Sequence, residues 1–122
     1  ADRLCEFDVA FESLYLVSEL DKKLAELASR FYDKPSHNLD LIGVTGTNGK
    51  STTTAMIAHL AQYCNTQSAI IGTLGFGHPD NLTPLINTTP SAADLQHILS
   101  DLHQADKKLV AMEVSSHGLV QH

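Results

Sequence analysis

The sequence predicts a doubly wound, mostly parallel α/β sheet, and three observations predict it. Segments that read as strands and segments that read as helices take turns along the chain. Two strand segments, LDLIGVT (39–45) and KLVAMEV (108–114), are apolar almost throughout, as expected where helices cover both faces of a parallel sheet. The first runs directly into GTNGKS and a helical stretch, in the order strand, glycine turn, helix.

The elements follow in order. SLYLV (13–17) reads as a short strand. Ser18 with Asp21 has the spacing of a capping box, and Leu20, Leu24, Leu27, Ala28 and Phe31 recur at helical intervals, so a helix is expected over 18–32, ended by DKPSHN with its Pro35. A strand over 39–45 precedes a helix over 50–63, and SAIIGT (68–73) is a third strand. Residues 74–89 concentrate glycine and proline and read as a loop or loose hairpin. Ser91 and Asp94 open another capped helix with Ala92, Leu95, Leu99 and Leu102 on its apolar face, and 108–114 is the last strand. No internal repeat or low-complexity tract interrupts this order.

Composition excludes several classes. A chain of 122 residues has room for one modest core. Its net charge of -6, with no block of Lys or Arg, argues against a nucleic-acid surface. No apolar run approaches the ~20 residues that span a bilayer, and the helix from Ser18 carries too few basic residues for a membrane surface. The start, ADRLCEFD, has neither the basic nor the apolar region of a signal peptide, so a cytoplasmic location is expected. Cys5 and Cys64 fit no metal or disulfide spacing and read as reduced thiols. The seven histidines form no helical H-x-x-x-H pair, so a structural zinc is not expected.

The stretch GTNGKST (46–52) carries the chemistry. The common phosphate-loop spelling asks for a glycine five places before Gly49, where this chain has Val44. The context is nevertheless that of an anion site, because backbone N–H groups and the positive end of a helix dipole converge after a buried strand. Gly46 and Gly49 permit the tight turn, Lys50 supplies a charge for terminal phosphates, and Ser51 a hydroxyl for magnesium. The plainer alternative is a strand-to-helix turn with an exposed lysine, which leaves the agreement of five features in order to coincidence. Glu113, at the end of LVAME, lies where a parallel sheet presents side chains to the crevice beyond its carboxyl edge, and a carboxylate there can hold magnesium against phosphates; a solvated charge ending a strand is the alternative. Asn87, Thr88 and Thr89 place an amide and two hydroxyls side by side, which suits a polar ligand and equally an ordinary turn before the Ser91 cap. GTLGFG (72–77) leads into His78 and Pro79 and not into a helix, so it is no dinucleotide fingerprint. Ser115, Ser116 and His117 are chain neighbours without G-x-S-x-G, which argues against a hydrolase.

Residues 46–52 match G-T-x-G-K-[ST]-[ST] position for position, and here the chain resembles the Mur ligases of peptidoglycan synthesis. NTTP (87–90) and MEVSSHGLVQH (112–122) resemble the branch that adds the third residue of the stem peptide, and the likeness runs from about residue 14 to the end. The resemblance implies an ATP- and magnesium-dependent ligase. It phosphorylates the D-glutamyl carboxylate of UDP-N-acetylmuramoyl-L-alanyl-D-glutamate, and an amino acid, meso-diaminopimelate or L-lysine, then displaces phosphate. It implies that Gly46, Thr47, Asn48, Gly49, Lys50, Ser51 and Thr52 bind ATP, that Lys50 and Glu113 serve catalysis, and that Ser51 and Glu113 hold magnesium. Asn87, Thr88, Thr89, Ser115 and Gln121 would contact the UDP-sugar peptide.

Residues 1–17 would be the tail of an N-terminal UDP-sugar domain, and 18–122 the N-terminal part of a central ATP-binding domain. The family's carbamylated lysine and amino-acid domain would lie beyond His122. The chain alone is therefore expected to be an inactive piece of a monomeric enzyme, with open sheet edges able to pair between copies. A folylpolyglutamate synthase-like ligase is a related alternative, against which NTTP and EVSSHGL count. A GTPase-type switch is another, but its N-K-x-D sequence is missing.

Overall fold

The computed structural model describes residues 15–86 and 90–115. Within them a five-stranded sheet runs in the order β1-β5-β2-β3-β4. Strands β1 (Asp40–Val44), β5 (Leu109–Glu113) and β2 (Ser68–Gly72) are parallel, and β3 (Gly75–His78) and β4 (Asn81–Thr83) extend the sheet as an antiparallel hairpin. Helix α1 (Leu20–Phe31) and a 3₁₀ turn (Pro35–Asn38) precede β1, α2 (Lys50–Tyr63) joins β1 to β2, and α3 (Ala92–Gln104) leads into β5.

Side-chain alternation along the strands sorts the core into two layers. Ala69, Ile71 and Val110 pack with Ile98, Leu99 and Leu102 of α3, while Ile70 and Ala111 pack with Ala58 of α2. Helices therefore cover the central strands β5 and β2 on both sides, as the apolar stretch 108–114 predicts. The Ser68 hydroxyl, fully buried, donates to the Ala58 carbonyl at 2.7 Å, so the one polar group at the start of β2 is paired and ties strand to helix.

The Ser91 cap forms as predicted. The Asp94 N–H donates to Ser91 Oγ at 3.1 Å, and the Ser91 hydroxyl and N–H donate to Asp94 Oδ2 at 2.7 and 3.2 Å. The hydroxyl, and then the backbone bond, hold the Asp94 carboxyl below its ordinary value. A depressed folded pKa gives stability that is present above the ordinary carboxylate range and is lost as pH falls through the depressed value. Ser91→Ala is expected to cost about 1 kcal/mol in urea unfolding. Asp94→Ala should be destabilising at neutral pH, with a penalty that shrinks in acid. A penalty independent of pH would remove the carboxylate from the cap.

Three expectations need correction, and a fourth, left between two alternatives, is decided. Of the strand expected over 13–17, residues 13 and 14 lie outside the described residues, and Tyr15, Leu16 and Val17 are in no strand and are exposed, with no strand among the described residues pairing them. The Ser18–Asp21 capping box does not form; the cap of α1 is Glu19 in left-handed backbone, with no side-chain bond to the helix end. Of the loop or loose hairpin expected over 74–89, the hairpin is what forms, and β3 and β4 add to the sheet as its antiparallel end. Strand β1 is not covered on both faces: it is an edge in the described residues, and Leu41 and Ile42 stay 39 % and 37 % exposed.

Candidate functional site

Strand order decides what meets at the carboxyl edge of the sheet. Although last in sequence, β5 inserts between β1 and β2, in register Val44↔Glu113 on one side and Ile71↔Met112 on the other. Glu113 is thereby carried to the place where β1 turns into α2. The Val114 N–H donates to the Val44 carbonyl at 2.8 Å and holds the two strand ends together.

The turn itself is shaped by glycine. Gly46 has φ 147° and Gly49 φ 77°, and Gly49 is the N-cap of α2. No side chain caps that helix, so its first N–H groups face the turn. A side chain at Gly49 would meet no atom within 4 Å, so the helix end adjoins open space. Lys50, half-buried, folds back and donates from Nζ to the Gly46 carbonyl at 2.7 Å, placing its charge across the turn. Thr54, one helical turn on, donates to the Ser51 carbonyl at 2.9 Å and steadies the first turn of α2.

Thr47, Asn48, Gly49, Lys50, Ser51 and Thr52 line one cleft of about 370 Å³ together with Thr73 and Glu113. The structure thus brings the glycine turn and the carboxylate of β5 to a single space. Hydroxyl and carboxylate oxygens are the hard donors that suit magnesium, and lysine with helix N–H groups suits phosphate, so the residues present fit both groups. Ser115 lies two residues beyond Glu113 and is exposed. Asn87, Thr88, Thr89 and Gln121 lie outside the described residues.

Sequence reasoning missed Gly72, which ends β2 beside Glu113, and Thr73, which follows it and lines the same cleft. Their signal was the rule that parallel strands present their carboxyl ends to one crevice, masked here by the glycine spacing of GTLGFG. A second cavity, about 280 Å³, lies under Phe76, Leu85, Ile86 and Ile98. It includes none of the candidate residues.

Comparison with known proteins decides the family. A model of the Mur ligase middle domain matches residues 44–122. The chain belongs to the Mur ligase family. A curated relative in this family, UDP-N-acetylmuramoyl-L-alanyl-D-glutamate--2,6-diaminopimelate ligase of Vibrio vulnificus (strain YJ016), is 48 % identical over 105 residues. That match covers 86 % of this chain and 21 % of the relative, so the chain spans about a fifth of that Mur ligase. A solved structure of a UDP-N-acetylmuramoyl-L-alanyl-D-glutamate--2,6-diaminopimelate ligase superposes with TM-score 0.77 at 33 % identity, covering 95 % of this chain and 24 % of that one. The mixed sheet described above is thus the fold of a Mur ligase middle domain. Among the described residues no helix is long and apolar enough to cross a membrane.

Proposed function

We propose that this chain is the nucleotide- and metal-binding part of an ATP-dependent ligase that joins meso-diaminopimelate to UDP-N-acetylmuramoyl-L-alanyl-D-glutamate in peptidoglycan synthesis. The observation that carries the proposal is the single cleft shared by Thr47–Thr52 of the turn and Glu113. The names of the relatives support diaminopimelate over lysine as the amino acid.

The chain's residues divide the work. The backbone from Gly46 to Thr52 and the N-terminus of α2 cradle the phosphates of ATP. Lys50 exchanges its bond to the Gly46 carbonyl for one to a terminal phosphate. Ser51 and Glu113 hold magnesium, and the chemistry it supplies when bound is neutralisation of charge on the transferring phosphoryl group. Asn87, Thr88, Thr89, Ser115 and Gln121 bind the UDP-sugar peptide. Residues 18–122 are the first part of the central domain and 1–17 the tail of the preceding one, in a cytoplasmic enzyme.

Two measurements test this reading. The complete ligase containing this chain, given ATP, magnesium and the UDP-linked dipeptide, should release phosphate and form tripeptide with meso-diaminopimelate; turnover with a folate, or tighter binding of GTP than ATP, would reject it. Ser51→Ala should lower turnover with a deficit that shrinks as magnesium is raised. A deficit indifferent to magnesium would take Ser51 out of the metal role.

A further inference from the structure

Resting on the proposed metal site, we infer that Gly72 is a positioning residue for Glu113. Ile70 and Ala111 are register partners on the face packed against α2. Two residues on, Gly72 and Glu113 return to that same face, because strand side chains alternate. They sit at the carboxyl edge, where the cleft opens. The Glu113 side chain crosses the space a side chain at 72 would fill: a Cβ there would lie against Glu113 Oε1, 2.9 Å from its Cδ and 3.3 Å from its Cγ.

The missing side chain is thus a slot through which the carboxylate leans over β2 toward Thr73, beside the phosphate turn. Gly72 does not need its glycine for backbone conformation, since its φ is not among the positive ones. What an added methyl displaces is the end of a flexible side chain, so Gly72→Ala moves the carboxylate and leaves the sheet in place.

The experiment uses the complete ligase with a non-hydrolysable ATP analogue and Mn²⁺, whose binding is followed by electron paramagnetic resonance, alongside thermal melting. Gly72→Ala should weaken Mn²⁺ binding by about 10-fold or more, the scale of losing a group that orients a metal ligand, and leave metal-free nucleotide binding unchanged. Combining it with Glu113→Gln should add little to the loss that Glu113→Gln causes alone. If Gly72→Ala binds Mn²⁺ within about two-fold of the unaltered enzyme while Glu113→Gln does not, the positioning role is overturned and the proposed function stands. If Glu113→Gln also binds normally, the metal reading and this inference fall together. Should Gly72→Ala melt lower, adding Glu113→Ala must restore the melting temperature; a loss that persists places the collision elsewhere and overturns the inference.

Discussion

Replacing Lys50 by alanine in the complete ligase should lower kcat/KM for ATP-dependent ligation by at least about 10²- to 10³-fold, the scale for removing one preorganised charge contact from a transition state. The fold should not suffer. Lys50 is the first residue of α2, where a positive charge opposes the helix dipole, and alanine is the better helix former. Among the described residues its side chain donates to the Gly46 carbonyl, an exposed bond for which water can substitute. The variant is therefore expected to melt at or slightly above the temperature of the unaltered protein while failing to turn over. A lysine kept against its local preference points to a ligand, and near-normal turnover of Lys50→Ala would reject the phosphate assignment.

Gly75→Ala is expected to be the most destabilising single methyl in the described residues, by about 2 to 4 kcal/mol in urea unfolding. Gly75 opens β3 at φ 137°, and a Cβ there would run into the Thr83 carbonyl oxygen, with Thr83 C at 3.0 Å and Pro84 Cα at 3.3 Å. All three are backbone atoms, so nothing flexible can give way. Gly77 is the control: its φ of 119° carries backbone strain, but an added Cβ would meet only the Asn81 carbonyl at 3.5 Å, an ordinary contact. Gly77→Ala should cost clearly less. Equal losses would show that strain alone, and not the collision with β4, governs the hairpin. The hairpin matters beyond itself, because Phe76 packs against the α3 side of the core and Leu82 against the α2 side. Gly75 is also the register partner of Gly72, next to the cleft.

Legibility in the sequence followed the range of the interactions. The helix from Lys50 to Tyr63 and the cap at Ser91 were readable because their signals lie within a few residues of one another: a glycine turn before a helical stretch, a hydroxyl three places before a carboxylate. The same local rule failed at Ser18, where the chain enters α1 through a left-handed Glu19 and the serine is one residue too early to cap. Over 15–17, the described part of the strand expected at 13–17, no strand forms, because apolar, β-prone residues become a strand only when another strand pairs them.

The sequence by itself determined the strand and helix alternation, the glycine turn and the lysine and hydroxyl that follow it, since backbone conformation and helix start depend on near neighbours. Only the tertiary structure decided that β5 lies between β1 and β2, that the hairpin extends the sheet, and that Glu113 shares a cleft with Lys50 and Ser51. It alone revealed the empty position at Gly72 into which the carboxylate leans. The physical reason is that strand order and register are set by which apolar faces α2 and α3 bury together, a choice made by contacts far apart in the chain and invisible to any local pattern.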